Sequence, residues 1–330
     1  MRVDTFRWAI VGTGSIATLF AEDIQRQPDM EVTAIVSRSR DRGHAFTQSQ
    51  GLRTTVVDSV DALVSSDNVD AIYIATPHSN HFAATRAALE IGYPVLCEKP
   101  MGLNVDQVAA LADLAQKRGV FLMEAMWSRF LPTMATFTAL LHQGAIGEPR
   151  ALFADFGIEV PFAPDSRLFN PSLGGGALLD VGVYTIALAH QALGYPANVH
   201  GTARRTDTGV DGQSAYTLEY SNGAVAQLFG ALELKTPQQA VLCGTQGRLT
   251  LHAPFFRPEC VSLDRNNGET SHRRHPITGH GYGYEARAVA GMVRSGHKEH
   301  PTMPLTESVA IARIMDDLRT QWGLQYPDDS

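Results

Sequence analysis

At 330 residues, the chain is long enough for about two domains with proper cores. Its 44% hydrophobic and 18% charged residues describe an ordinary globular protein, and a net charge of -7 argues against sequence-independent nucleic-acid binding, which needs a basic surface. Three scattered cysteines, Cys97, Cys243 and Cys260, form no Cys-x-x-Cys pair, which argues against a disulfide framework and fits a reducing compartment. Met1 to Arg7 runs straight into a strand and leaves no room for a signal peptide, and no apolar run approaches the ~20 residues of a membrane span. A cytoplasmic enzyme or sensor is expected, with a small-molecule ligand and no nucleic-acid or membrane partner.

The first predicted strand, Phe6 to Gly12, feeds directly into Gly12-Thr13-Gly14-Ser15-Ile16-Ala17 and a helix with Ile16, Leu19, Phe20 and Ile24 at helical spacing. This is Gly-x-Gly-x-x-Ala with a strand before it and a helix after it. Gly12 permits the tight turn, Gly14 lets a pyrophosphate approach the backbone, and Ala17 allows close packing of helix on strand. The free N–H groups of the helix start would hold the phosphates. The second strand, Glu31 to Val36, ends in Ser37-Arg38-Ser39-Arg40. An acidic residue there suits the ribose 2′-hydroxyl of NAD, whereas an arginine suits the 2′-phosphate of NADP. Ser37 and Arg38 therefore point to NADP, with NAD still possible; otherwise Arg38 and Arg40 decorate a solvated helix start.

Alternation continues through a strand at 54–57, a short helix around 60–64 and a continuous apolar strand at 69–75. That strand delivers Thr76-Pro77-His78-Ser79-Asn80-His81 and a helix running through Ile91. His78 and His81 lack further ligands at a zinc-like spacing, so no metal is expected. A loop lying along the cofactor, using Thr76, Pro77, Asn80 and His81, is the reading adopted. The next strand, Val95 to Cys97, stops on Glu98-Lys99-Pro100. Charges at the end of an apolar run are costly unless solvent or a ligand meets them, and ligands of open α/β sheets bind at strand carboxyl ends. Lys99 would sit where substrate meets cofactor; the alternative is a surface salt bridge. A helix over 105–118 capped by Gly119 and a strand at 120–123 complete a doubly wound parallel α/β sheet, the dinucleotide-binding domain of residues 1–125.

From Ile146-Gly147-Glu148-Pro149 onward, strands dominate, near 150–159, 199–205, 214–220, 224–234, 239–244 and 248–252, with Asn222-Gly223 as a hairpin signal. Residues 126–330 are expected to form an α+β domain on a largely antiparallel sheet. The strand at 224–234 carries apolar groups on both faces, so either a second subunit or the chain's own helices must cover it. Gly174 to Leu193 is almost uniformly apolar past its glycines and reads as a buried helix with Asp180 and Tyr184, i and i+4, on one face. A buried acid requires a partner, and Lys99 or a substrate hydroxyl would serve; a structural ion pair is the alternative. Trp127 and Phe156 are the aromatics aimed at the site, with Phe162, Phe255 and Phe256 less firmly placed. Arg167 is a candidate contact for cofactor or substrate, and His272-Arg-Arg-His275 reads as a solvated strand. Thr306 is expected to cap a final helix with Val309, Ile314, Met315, Leu318 and Trp322 on its apolar face.

The ordered set Gly-x-Gly-x-x-Ala, Ala75-Thr76-Pro77 with His81, and Glu98-Lys99-Pro100 resembles the glucose-fructose oxidoreductase, inositol dehydrogenase and rhizopine catabolism family, written Gfo/Idh/MocA. The similarity covers nearly the whole chain. Glu124 to Pro132, Gly174 to Tyr184 and Trp322 to Pro327 are similar to the branch holding dimeric dihydrodiol dehydrogenases and NADP-dependent D-xylose dehydrogenases. The resemblance implies an N-terminal Rossmann domain, a homodimer and a final helix packing back near the first domain. It also implies that Lys99 lies beside the nicotinamide and is essential, with Glu98 in the cofactor site. Many members place a histidine four residues after the aspartate of the second-domain helix; Tyr184 stands there instead, as in the dihydrodiol and glucose-fructose branches. The expected activity is hydride transfer between nicotinamide and an alcohol carbon of a cyclic polyol, sugar or trans-dihydrodiol. Tyr184 would move the proton, cationic Lys99 would lower the tyrosine pKa, and Asp180 would hold Lys99 or a substrate hydroxyl. Rival readings are a sugar-ketone reductase of the anhydrofructose type and a non-catalytic NADP sensor.

Overall fold

The computed structural model describes residues 5–64, 68–327 and 329. They form two compact units, and the chain visits the first one more than once. The first unit comprises the chain up to Gly102, Asp106–Trp127 and Thr278–Ser308; the second comprises Leu103–Val105, Ser128–Ile277 and the chain from Val309 onward.

In the first unit, β1 (Phe6–Val11), β2 (Met30–Val36), β3 (Thr55–Val57), β4 (Ala71–Ile74), β5 (Val95–Glu98) and β6 (Leu122–Ala125) form a sheet in the order β3-β2-β1-β4-β5-β6. All its pairings are parallel. The order reverses between β1 and β4, and in such sheets ligands bind outside the strand carboxyl ends at that reversal. β4, β5 and β6 are buried along their whole length, as continuous apolar runs require when both faces are covered. The helices α1 (Ser15–Gln25), α2 (Arg40–Ser49), α3 (His81–Glu90) and α4 (Val105–Arg118) supply that cover. In α4, Asp106 lies in the first turn and Lys117 and Arg118 in the last, each matched to the helix dipole. Gly119 (φ +62°) closes it, with the Val120 amide donating back to Ala115. Within the core, Phe20 stacks on Tyr73 at 3.8 Å and meets Trp8 edge-on at 5.2 Å.

The late segment joins this unit through one carboxylate. Asp23, buried in α1, accepts the amides of His280 (2.8 Å), Gly281 (2.9 Å) and Gly283 (3.2 Å), and pairs with Arg26 at 3.1 Å. These amides sit at the start of α7 (Tyr282–Arg294), whose own first residues offer no side-chain cap. A carboxylate from another helix thus satisfies donors that the sequence leaves open.

The second unit is built on β7 (Pro149–Gly157), β8 (Asn198–Arg205), β9 (Asp211–Glu219), β10 (Val225–Ala231), β11 (Ala240–Gly244), β12 (Gly247–Leu251), β13 (Cys260–Arg265) and β14 (Thr270–Arg274). Their order is β14-β13-β12-β11-β7-β10-β9-β8, antiparallel except for β10 on β7. The Asn222-Gly223 hairpin forms as expected, with Gly223 at φ +81° and Asn222 Oδ1 accepting the Ala224 amide. One sheet face packs on the unit's own helices: α6 (Val183–Leu193) covers β7 and β10, and α5 (Pro132–His142) lies on β13 and β14. In β10 that leaves Ala226 and Leu228 buried while Val225, Gln227 and Phe229 line the other face. The chain's own helices therefore answer half of the two-sided pattern at 224–234.

Two expectations are corrected. Pro171–Leu193 is long and apolar enough to cross a membrane, although no such run was expected; 89% of its apolar window is buried inside the protein, so the core accounts for its composition. Thr306 lies inside α8 (Leu305–Trp322), and the Leu305 amide is instead satisfied by Glu299 Oε2 at 3.0 Å. Replacing the buried clamp, Asp23→Ala, strands three amides at a helix start. Its unfolding free energy in urea is expected to fall by about 3 kcal/mol.

Candidate active site

In the first unit, the candidate cofactor residues begin at the glycine turn. Gly12 has φ +111°, and a Cβ there would come within 2.5 Å of the Ala75 carbonyl oxygen, so only glycine fits. Gly14 has open space where its Cβ would be and precedes α1, whose N-terminus has no side-chain cap and no acidic residue. Thr13, Ser15 and Ile16 keep partial exposure at that helix start, and Ala17 is buried under it. This cradle is open to an anion. At the end of β2, Ser37 is buried and donates to the Ser39 carbonyl at 2.9 Å, while Arg40 is taken up by Asp58 at 3.2 Å. Arg38 is exposed and has no side-chain partner among the described residues. The hydroxyl of Thr76, at the end of β4, is buried and has no hydrogen-bond partner among the described residues. An open glycine turn, an orphaned hydroxyl and an available guanidinium all fit a dinucleotide.

His81 opens α3. It is buried, with Nδ1 2.7 Å from the Pro100 carbonyl and Nε2 2.8 Å from the Thr76 carbonyl. Both ring nitrogens stitch the loop after β4 to the loop after β5, and Pro77 and Asn80 lie in the short turn that leads into α3. At the end of β5, Glu98 accepts a 2.5 Å hydrogen bond from Tyr73 and a 3.2 Å bond from the Lys99 amide. The amide of Met101 donates to Glu124 at 2.9 Å, so the turn carrying Lys99 is held between two buried carboxylates. Trp127 is buried against Tyr282, ring centroids 4.9 Å apart.

Glu285 escaped the sequence reading. It is fully buried in α7, and neither carboxyl oxygen has a hydrogen-bond partner among the described residues. Burial, reinforced by the negative charge of Glu98, pushes its pKa well above the carboxylate range. The available signal was an acid on the apolar stripe Tyr282, Ala286, Val289 and Ala290.

In the second unit, the candidate substrate-binding residues are organised by a helix start. Leu178–Gly182 is a π-turn that runs into α6, a widened geometry found disproportionately at functional sites. Asp211 fixes its beginning by accepting the Leu178 amide at 2.7 Å. Gly176 (φ +119°) makes room: a Cβ there would lie 2.3 Å from Asp211 Oδ1. At the other end, the Gly182 carbonyl accepts from Thr185 (2.8 Å) and Tyr216 (3.2 Å). Asp180, mid-turn, pairs with Arg167 at 2.9 Å, a partner the sequence did not assign to it. Tyr184 is buried 5.5 Å from Phe156 and 5.8 Å from Phe256, and Phe156 stacks on Phe256 at 3.9 Å with Phe255 edge-on at 6.1 Å. Phe162 stands apart from that cluster, 41% exposed against Phe169.

The sequence model described as the oxidoreductase family with an NAD-binding Rossmann fold matches residues 6–126, and that of the GFO/IDH/MocA C-terminal domain matches 134–250. The trans-1,2-dihydrobenzene-1,2-diol dehydrogenase of Mus musculus is 34% identical over 98% of each chain. Among solved structures, KijD10, a 3-ketoreductase from Actinomadura kijaniata in complex with NADP and TDP-benzene, superposes with a TM-score of 0.83 at 31% identity, covering 96% of this chain and 98% of that one. Levoglucosan dehydrogenase in complex with NADH and levoglucosan shares the fold, with a TM-score of 0.87 at 17% identity over 97% of this chain and 98% of that one. Geometry and similarity together define an NAD(P)-dependent oxidoreductase. The chain belongs to the Gfo/Idh/MocA family.

Asp211 supplies a pH signature. Burial raises its carboxyl from 3.8 to about 7, against the lowering effect of its hydrogen bonds from Leu178 and Ser214. Between those values the unfolded chain releases a proton that the folded chain keeps, so this group's contribution to stability falls as pH rises from about 4 to about 7. Asp211→Asn still accepts the Leu178 amide but cannot ionise. Thermal unfolding of the two proteins across that range should diverge, with wild type losing on the order of 4 kcal/mol relative to the variant, from ~1.4 kcal/mol per pH unit.

Proposed function

We propose that the protein is an NADP-dependent dehydrogenase acting on an alcohol carbon of a sugar, cyclic polyol or trans-dihydrodiol. The observation that carries this reading is the setting of Tyr184: a phenol, buried against the aromatic wall of Phe156 and Phe256, on the helix whose Asp180 is ion-paired. Aromatic walls suit the apolar faces of rings, and the phenol supplies a proton-transfer group. The name of the mouse relative supports a diol substrate, and that of the 3-ketoreductase supports interconversion of a carbonyl and an alcohol. Nicotinamide held along the glycine turn would supply the hydride acceptor or donor. In oxidation, Tyr184 would act as the phenolate and accept the substrate O–H proton as the C–H bond gives up its hydride; in reduction, the Tyr184 phenol would donate that proton back to the carbonyl oxygen. The Lys99 ammonium orients the substrate oxygen and favours its alkoxide character. Asp180, with Arg167, holds the sugar hydroxyls next to the reacting one. The 3-ketoreductase relative bound to NADP favours the reductive direction as a second reading for the same residues.

Arg38 is the reason for choosing NADP over NAD. One charge-assisted contact to a 2′-phosphate contributes ~1.5–3 kcal/mol, so NADPH should bind at least about tenfold tighter than NADH. In fluorescence titrations, Arg38→Ala should erase most of that preference; equal affinities in wild type would reverse the assignment.

Tyr184→Phe keeps the ring and its packing and removes the hydroxyl. Its kcat on a good polyol or dihydrodiol should drop by about 10²–10⁴-fold with NADP(H) affinity unchanged within a few fold. Lys99→Met should be at least as damaging. A Tyr184→Phe enzyme retaining half of the wild-type kcat would move proton transfer to another group.

We further propose a homodimer through the sheet face opposite α6, where Phe153 is 47% exposed and Val225, Phe229 and Val241 lie on the same side. Exposed apolar groups of this kind on one sheet face, around Gln227, mark association. Sedimentation at micromolar concentration should return twice 35.8 kDa, and Phe153→Glu should shift the protein to monomer.

A further inference from the structure

The register of β12, β13 and β14 brings together side chains that the oxidoreductase chemistry does not use. Thr250 pairs with Ser262, which pairs with His272, and the amide of His252 donates to the Cys260 carbonyl one step along. Side chains opposite one another in an antiparallel ladder share a face, so His252, Cys260, Ser262 and His272 all point to one side. That side is opposite the α5 face, where His275, of the other parity, meets Thr136 at 2.9 Å. The ligand atoms of His252, Cys260 and His272 all lie within 4.8 Å of one another. Ser262 Oγ sits between the two rings, 2.6 Å from His252 Nε2 and 2.6 Å from His272 Nδ1. Cys260 and Ser262 are buried, His252 is half-buried and His272 is exposed. The cluster is therefore shielded beneath and open to entry from solvent through His272.

We propose that this cluster is a binding site for a divalent ion of the zinc class, with His252, Cys260 and His272 as ligands. Two imidazoles and a thiolate are a donor set that zinc favours, with bond lengths of about 2.0–2.1 Å to nitrogen and 2.3 Å to sulfur. Ligation draws the three atoms inward by small side-chain rotations, and the cysteine thiol gives its proton to solvent as the metal–sulfur bond forms. Ser262 already holds both rings in position and takes the fourth place directly or through water. Three ligands come from three adjacent paired strands, so the backbone needs no rearrangement. Three charges flank the cluster on the same face. Arg274, opposite Cys260, is exposed and can turn into solvent, and Asp264 is ion-paired with Arg248 at 3.0 Å. The ion would cross-link the edge of the sheet at β12–β14.

Cobalt(II) reports this geometry directly, because a thiolate ligand gives an intense sulfur-to-cobalt absorption and a tetrahedral site gives strong visible bands. Metal-free, untagged full-length protein titrated with Co²⁺ should develop both, saturating at one ion per chain, and Zn²⁺ should displace them. Cys260→Ser should lose the sulfur band and weaken binding at least about tenfold, and His272→Gln, an exposed change that leaves the sheet intact, should weaken it by about 10–100-fold. Cys243→Ser should leave the spectrum unchanged. Zn²⁺ should also raise the unfolding temperature of wild type but not of His272→Gln. NADPH titration of each variant serves as the check on folding. Absence of a sulfur band in wild type at several equivalents of Co²⁺, or equal Co²⁺ affinity in wild type, Cys260→Ser and His272→Gln, would overturn the proposal.

Discussion

The first unit depends on an arrangement at the end of β5, where an apolar strand finishes in charge inside the protein. Glu98 is stable there because Tyr73, itself stacked in the core on Phe20, donates to one oxygen and the following amide donates to the other. The same two bonds fix the backbone on which Lys99 stands. Burial and the neighbouring Glu98 charge raise the Tyr73 pKa, which keeps the phenol a donor. A second carboxyl, Glu285, is fully buried nearby in the same unit, and the Glu98 charge helps hold it neutral. Electrostatics and packing are therefore one problem at this strand end: the charge that these bonds hold on Glu98 also helps keep Glu285 neutral.

The second unit solves a related problem with a different device. An apolar helix that carries an acid and a phenol must begin inside the protein, where its free amides have no water. Asp211 accepts the first of them, Gly176 leaves space for that carboxyl, and Tyr326 donates to the Gly175 carbonyl at 2.6 Å beside it. The glycine run and the Trp322 to Pro327 segment are thus parts of one contact, although about 150 residues separate them in the chain.

Local chemistry was legible in the sequence wherever its partners lay close by. The glycine turn before α1, the helix at 105–118 with its Gly119 terminus and the Asn222-Gly223 hairpin each follow from a handful of adjacent residues, and the structure has them. Periodicity placed Asp180 and Tyr184 on one buried helix but did not reveal the widened turn, which arises from what Asp211, Thr185 and Tyr216 accept and donate. Asp23, Asp211 and Glu285 went unread for one reason. A buried carboxylate is chosen by donors or charges distant in sequence, 257 residues away for the Asp23–His280 bond, and no window of neighbours records that choice. Phe255 and Phe256 were undervalued similarly, since an aromatic pair in a loop has no period to announce its stacking on Phe156.

The way the chain threads its two units bears on how the protein is made. It leaves the first unit after Trp127 and re-enters it at Thr278, so the second unit is largely an insertion within the first. On the ribosome, α1 emerges with the Asp23 carboxylate aimed at amides that will not be synthesised until some 250 residues later. Until then the α1 surface that α7 will cover stays uncovered, while the six-stranded sheet already has all its strands by Ala125. The intervening 150 residues must emerge, and much of the eight-stranded sheet can assemble, before the first unit is sealed. Vectorial synthesis thus makes the N-terminal unit the earliest to begin and among the last to close, a span over which a chaperone could hold the exposed helix.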